Sequence, residues 1–197
     1  MGRVLRGMTE QAEENMKEQI IDTCCLLNLY ATDEQMPILK HFGGVFVSEH
    51  VQQEALWIRC VDHESPPQLV PHQVDLGEAI DAGHITVCTF ESQQEADWFV
   101  LYAQQLDDGE SSVLALAKSR GWTVATDDKK ARRIAVEQGI NVIGTSEMIQ
   151  VWAASQGLSD EQIGDVLRRI QRFGRFRPRR SDPLYDWWTR LVSESDS

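Results

Sequence analysis

Acidic residues stand at or just beyond the ends of short apolar runs in this 197-residue chain. They are Asp22, Glu54, the segment Asp107-Asp108-Gly109-Glu110, and Asp127-Asp128. If the apolar runs are parallel strands, their carboxyl ends bring these carboxylates together where open α/β sheets build sites. Close carboxylates resist ionising together, and a hard divalent cation relieves that repulsion while accepting oxygen ligands. The pattern predicts a Mg²⁺ or Mn²⁺ site and, with it, phosphodiester chemistry.

The elements that must position these acids alternate between strand and helix patterns. Strands are predicted near residues 19–23, 45–47, 85–88, 122–126 and 140–144. Helices are predicted at 24–30, 49–58, 94–105, 107–120, 129–138, 146–155 and 159–173, with a proline-containing loop at 61–75. In the 94–105 helix, the residues expected to face inward are Ala96, Phe99, Val100 and Ala103. Such alternation predicts a three-layer α/β/α fold with a mostly parallel five-stranded sheet.

The chain divides by composition into three parts. Residues 1–17 form a polar lead-in, 18–150 the α/β domain, and 151–197 a helical extension rich in arginine and tryptophan. Composition is ordinary for a globular protein, with 42% hydrophobic and 25% charged residues. No apolar run approaches the roughly 20 residues that span a bilayer, and no secretory leader is recognisable. We therefore expect a cytoplasmic protein that does not engage a membrane.

Charge and cysteine content narrow the function further. The net charge of −12 argues mildly against a protein that coats nucleic acid. The four cysteines form no C-x-x-C pair, so a zinc knuckle is not expected. One basic segment stands out, with its arginines at positions 168, 169, 172, 175, 177, 179 and 180.

Two interpretations of this arginine segment stay open. Arginines interleaved with Phe173 and Phe176 suit single-stranded RNA, through phosphate contacts and stacking. The same arginines could instead neutralise the acidic body of their own chain or of a second subunit. Beyond them, Tyr185, Trp187 and Trp188 are expected to anchor the tail by burying large apolar areas.

The order of these motifs resembles the PIN domain, a fold of many nucleases and of VapC-type toxins. The pieces that carry the resemblance are Ile21-Asp22-Thr23, Val47 to Glu54, the Gly109-Glu110 helix start, Thr126-Asp127-Asp128 and Asn141 to Thr145. The stretch from Asp108 to Ala117, followed by Thr126 to Arg132, is similar to a branch of uncharacterised prokaryotic PIN proteins. The resemblance covers about residues 18–150, and each motif alone is weak.

The resemblance implies a ligand set for one or two Mg²⁺ or Mn²⁺ ions. It assigns catalytic and metal-binding roles to Asp22, Glu54, Glu110 and Asp127, with Asp128 as an auxiliary ligand. Alternatives stay open: Asp22 could be a helix cap, Glu54 a solvated residue, and Asp107 or Asp108 could replace Glu110 as the third ligand. Asp128 could simply cap the next helix.

The resemblance also implies substrate contacts around the acids. Thr23 and Thr126 would position a ligand or water, although a threonine at a strand end can also bond its own backbone. Lys129, Arg132 and Arg133 could attract substrate phosphate, or form an exposed helix face.

The leading interpretation is therefore a metal-dependent endoribonuclease, and the resemblance to VapC-type toxins implies a role as the toxin of a toxin–antitoxin pair. RNA, a small antitoxin protein and a second copy of the chain are the expected partners. The alternative is a PIN-like binding module with little or no nuclease activity, which the retained acidic set argues against. A receiver domain or a haloacid-dehalogenase-like phosphatase is disfavoured, because the latter needs a second Asp where Cys24 stands.

Overall fold

A computed structural model describes residues 18–43, 45–54, 56–61 and 69–194, so the predicted lead-in at 1–17 lies outside the described residues. The strands are β1 Gln19–Ile21, β2 Val45–Ser48, β3 Trp57–Val61, β4 Leu69–Gln73, β5 Ile85–Cys88, β6 Thr123–Ala125 and β7 Val142–Ile143. The helices are α1 Thr23–Tyr30, α2 Gln35–Phe42, α3 Glu49–Gln53, α4 Gly77–Asp81, α5 Gln93–Tyr102, α6 Asp108–Arg120, α7 Lys129–Glu137, α8 Thr145–Gln156, α9 Asp160–Arg169 and α10 Tyr185–Glu194. A π-helical turn, Ile170–Gly174, continues α9.

Five strands form one parallel sheet in the order β5-β2-β1-β6-β7, which confirms the predicted α/β fold. Successive residues of a strand point to opposite faces. Ile20 and Ile21 of the central strand β1 are both fully buried, so helices cover both faces of the sheet. The chain passes from β1 to β2 on one side and later returns through α6 to β6 on the other. The carboxyl ends of β1 and β6 thus form the crevice at which open α/β sheets bind ligands.

The predicted helix 49–58 and the predicted loop 61–75 are wrong in part. The helix α3 ends at Gln53, and β3 follows it. β3 pairs antiparallel with β4, with Arg59 opposite Pro71. In a two-stranded sheet both strands are edges, so a proline without an N–H is tolerated there. The polar and proline-containing strand β4 has no clear apolar alternation, which is why its sequence resembled a loop.

The inward face predicted for α5 is also partly wrong. Val100 is 61% exposed and Ala103 is exposed, while Glu95 and Tyr102 are buried. The reason is an ion pair, because Glu95 accepts a hydrogen bond from Arg120 Nε at 2.7 Å. That pair turns the helix so that a charged residue faces α6.

Two helices, α2 and α4, were not predicted, whereas α10 lies within the predicted helical extension 151–197. Of the expected tail anchors, Trp188 is fully buried and packs edge-on against Phe176, at 5.5 Å between ring centroids. The proposed domain boundary at residue 150 falls inside α8. Within the described ranges, no helix has both the length and the apolar character needed to cross a membrane.

Candidate functional site

Asp22 lies where β1 ends and α1 begins. Its Oδ1 accepts the backbone N–H of Thr23 at 2.8 Å and so caps α1. Its Oδ2 accepts the Thr126 hydroxyl at 2.9 Å and the Cys24 thiol at 3.2 Å. The side chain is buried, and the loss of hydration raises its pKa from 3.8 to about 6 against the opposing effect of these hydrogen bonds. The cap and the predicted site role therefore belong to the same carboxylate.

Glu110 lies in the first turn of α6 and is surrounded by other acids. Burial first, and then the charges of Asp107, Asp128 and Asp22, raise the pKa of Glu110 to about 7. Asp107 caps α6 by accepting the Glu110 N–H at 2.8 Å, while the side chain of Asp108 is exposed. These carboxylates come from three separate segments of the chain. Their mutual repulsion is the electrostatic condition that favours a bound cation.

Glu54 joins this group from the end of α3. It follows the last helical residue with an extended backbone, so it is not inside a helix as predicted. Its Oε2 accepts the Thr23 hydroxyl at 2.5 Å. Its Oε1 lies so close to Gly109 that a Cβ built there would come within 2.1 Å of it. A glycine in this turn therefore makes room for the Glu54 carboxylate.

Asp127 follows β6 and has a different environment. Its Oδ2 accepts hydrogen bonds from Asn28 Nδ2 at 3.0 Å, from the Thr145 hydroxyl at 2.5 Å and from the Cys25 thiol at 3.3 Å. Its Oδ1 accepts the Thr145 N–H at 3.0 Å. A carboxylate has about four lone-pair sites, two on each oxygen. Donors from α1 and α8 crowd Oδ2, whereas Oδ1 accepts one of them and keeps a second lone pair. Asp127 thus ties two helices to the end of the sheet.

Asp128 caps α7, which was the alternative to a ligand role in the sequence analysis. Its Oδ1 accepts the N–H groups of Lys130 at 2.7 Å and Ala131 at 2.8 Å. Its charge is nevertheless close enough to Glu110 to raise the pKa of that acid. Asp128 therefore combines a capping role with a place at the margin of the carboxylate group.

The thiols of Cys24 and Cys25, adjacent in the sequence, contact the carboxylates of Asp22 and Asp127. Within the described part of the chain, one group of three ligand-type side chains has its ligand atoms within 4.8 Å of one another, and it comprises Cys24, Cys25 and Asp127. This group could hold a metal ion by proximity. In the metal-free fold, burial raises the pKa of Cys25 well above its ordinary value, which favours the protonated thiol. It then serves as a hydrogen-bond donor to Asp127.

Four of the five residues predicted to contact substrate bind other groups of the chain. Thr23 and Thr126 donate their hydroxyls to Glu54 and Asp22, so they orient the acids. Arg132 donates to the Thr126 carbonyl at 3.0 Å and pairs with Glu147 at 3.6 Å.

The other two basic residues of that prediction lie further out on α7. Lys129 is exposed at the first position of the helix. Arg133 pairs with Glu137 at 3.7 Å, one turn along the helix and away from the acids.

Two residues of the site were not among the predicted site residues, Asn28 and Thr145, although Thr145 ends one of the motifs that carry the resemblance. Each donates to Asp127, and Asn28 also donates to the Thr145 hydroxyl at 3.0 Å. Asn28 is a buried polar residue in an otherwise apolar helix, and Thr145 directly follows the β7 segment. Those positions were the available signals, since buried polar groups almost always have partners.

Comparison with known proteins identifies the fold. A family model described as a PIN domain matches residues 18–194, which includes the carboxylate group and the C-terminal helices. No curated protein and no solved structure matches the chain significantly. PIN domains are generally nucleases, and they typically bind divalent metal through acidic residues. Since the match extends over most of its length, the chain belongs to the PIN domain family.

Proposed function

We propose that this chain is a metal-dependent endoribonuclease that hydrolyses phosphodiester bonds at the crevice between β1 and β6. The observation that carries the proposal is the pair Asp22 and Glu110, whose pKa values are raised to about 6 and about 7 by burial and by neighbouring acids. Within the described residues neither acid has an ion-pair partner. Acids destabilised in this way fit a site completed by a cation.

The donor set fits a hard cation. Asp22, Glu110 and Glu54 would hold it, with Asp128 at the margin, and all of them offer carboxylate oxygens. A bound Mg²⁺ or Mn²⁺ would supply charge for a phosphoryl oxygen and a water of lowered pKa.

The chain's own residues fix the geometry of this set. Thr126 and Cys24 hold Asp22 through hydrogen bonds to Oδ2, and Thr23 holds Glu54. Such supporting contacts set the orientation and basicity of ligands.

Asp127 receives a different role in this proposal. Its oxygens accept four hydrogen bonds that tie it to α1 and α8, three of them at Oδ2, which leaves only one lone pair of Oδ1 for a cation. We assign it the positioning of Thr126 and Asp128 on either side of it. A direct ligand role for Asp127, a toxin role and a homodimer remain predictions from the resemblance.

The test is cleavage of a pool of structured and single-stranded RNAs by the wild type and by Asp22→Asn, with Mg²⁺, with Mn²⁺ and with chelator. The proposal predicts metal-dependent cleavage that is lost in the variant. Cleavage that survives in chelator would contradict it. Absence of both cleavage and Mn²⁺ binding would favour the binding-module alternative.

A further inference from the structure

Five arginines of the segment separate into two groups with different partners, while Arg172 stacks on Phe173 and Arg180 contacts Tyr185. Arg168 and Arg169 form ion pairs with Asp165 and Asp33 of the same chain. Over the ranges that the structure describes, the arginines further along form no ion pair, namely Arg175, Arg177 and Arg179. The first group serves the fold, and the second group has charge available for a ligand.

These later arginines alternate with residues that face the protein. Arg175, Arg177 and Arg179 are exposed, whereas Pro178 is buried and Phe176 packs against Trp188. Arg175 ends the π-helical turn in a left-handed backbone conformation, with a φ of 60°, and all three arginines line the same pocket. The segment is therefore an anchored strip with a cationic outer face.

A close contact fixes the strip beside the carboxylate group. A Cβ built on Gly174 would lie 2.6 Å from Asn28 Oδ1, so the backbone approaches Asn28 as closely as only glycine permits. Asn28 in turn donates to Asp127 at 3.0 Å. The strip thus begins one residue after Gly174, whose neighbour Asn28 is hydrogen-bonded to Asp127.

A pocket of about 430 Å³ lies between the strip and the start of α7. Its charged lining comprises Lys129, Arg132, Arg175, Arg177 and Arg179, together with Asp127 and Asp182. The five basic side chains of the lining outnumber its two carboxylates, although Arg132 also pairs with Glu147 at 3.6 Å. In a chain of net charge −12, this is a local concentration of positive charge adjoining the acids.

We propose that this pocket binds the phosphate backbone of a single-stranded polynucleotide and holds the strand next to the carboxylate group. The inference rests on the proposed function, because the strand is the substrate of that site. Phe176 packs on Trp188, and Phe173 lies under Arg169 and Arg172, with 5.1 and 5.3 Å from each guanidinium carbon to the ring centroid. Since both rings contact their own chain, recognition runs through phosphates and is independent of base sequence.

The experiment is equilibrium binding of fluorescent single-stranded RNA 12-mers of two unrelated sequences, in chelator so that no cleavage occurs. The proteins are wild type, Arg175→Gln/Arg177→Gln/Arg179→Gln, and the control Arg172→Gln, which removes a charge from the same segment outside the pocket. The triple variant should bind at least about tenfold more weakly for both sequences. Its slope of log affinity against log salt should fall by about 2, since each single-strand phosphate contact contributes roughly 0.7. The control should shift neither quantity appreciably.

A charge-retaining triple, Arg175→Lys/Arg177→Lys/Arg179→Lys, guards against a folding artefact and should keep the wild-type salt slope. Unchanged RNA binding in the folded glutamine triple would overturn the proposal and point to an acidic protein segment as the ligand. A loss confined to one of the two RNA sequences would also overturn it. Arginine-dependent binding without any metal-dependent cleavage would leave the pocket standing and reject the nuclease proposal. Metal-dependent cleavage at the same rate in the wild type and the glutamine triple would support the nuclease proposal and reject the pocket.

Discussion

Asp22 and Asp127 follow neighbouring strands at the same end of the sheet, yet their carboxylates differ in hydrogen-bond donors and in neighbouring charge. Asp22 is desolvated, faces other acids and has a raised pKa of about 6. Asp127 accepts four hydrogen bonds from α1 and α8. The difference teaches that position at a strand end does not by itself decide a role. The partners decide it, and here Asp22 accepts three hydrogen bonds beside other acids, whereas Asp127 accepts four from two helices.

The largest expected difference between the two acids is in stability. Asp127→Asn places an N–H₂ group against donors from Asn28 and Thr145, and hydrogen bonds to a charged acceptor are worth roughly 1.5–3 kcal/mol each. We expect the free energy of unfolding in urea to fall by roughly 2–4 kcal/mol. The matched control, Asp22→Asn, removes a charge that burial disfavours but also weakens the hydrogen bonds from Thr126 and Cys24, so at pH 7.5 it should lower the free energy of unfolding by less than Asp127→Asn does. Equal destabilisation by both variants would contradict the proposed difference between the two acids.

The second prediction concerns pH. The pKa values of Asp22 and Glu110 are raised in the folded state, so the metal-free fold binds protons that the unfolded chain does not. Stability should therefore rise as pH falls through about 7 and 6, by roughly 2–3 kcal/mol between pH 8 and 5.5. Below that window Glu95, whose pKa is lowered by Arg120, acts in the opposite direction.

Two controls sharpen this measurement. The double variant Asp22→Asn/Glu110→Gln should remove the rise in urea-derived stability. Saturating Mn²⁺ should flatten or reverse it, since a cation favours the ionised acids. A profile that keeps its slope in the double variant would assign the titration to other groups.

The smallest expected effect on the fold comes from Gly109→Ala. The added methyl would collide with the Glu54 carboxylate, which is the far end of a flexible side chain and can move. We expect stability to change by less than about 1 kcal/mol, while cleavage falls at least about tenfold because Glu54 is displaced. Thermal unfolding and a cleavage time course separate the two effects. Unchanged cleavage would remove Glu54 from the site.

The sequence predicted the parallel sheet well, because its strands are apolar and bounded by clear turns. The β3–β4 hairpin was not predicted, since Arg59, Pro71 and His72 interrupt its alternation. Tertiary pairing formed these strands where local propensity was weak. The face of α5 was likewise set by the ion pair between Glu95 and Arg120, which no helical period reveals.

The site shows the same boundary between local and long-range information. Local patterns located Asp22, Glu110 and Asp127 at element ends. They could not show that Asp127 accepts a hydrogen bond from Asn28, because the two residues are 99 positions apart in the sequence. Nor could they divide the arginine segment, since that depends on the pairing of Arg169 with Asp33, which is 136 positions away.

The central claim is that a cation is held on the Asp22–Glu110 side of the crevice. Calorimetric titration with Mn²⁺ of wild type, Asp22→Asn, Glu110→Gln and Asp127→Asn tests it most directly, at a temperature where circular dichroism shows each protein folded. Losing a direct ligand should cost at least about 100-fold in affinity, and losing a supporting contact about tenfold. The account predicts the larger loss for Asp22→Asn and Glu110→Gln and the smaller for Asp127→Asn. Abolished binding in folded Asp127→Asn with wild-type affinity in Glu110→Gln would contradict it.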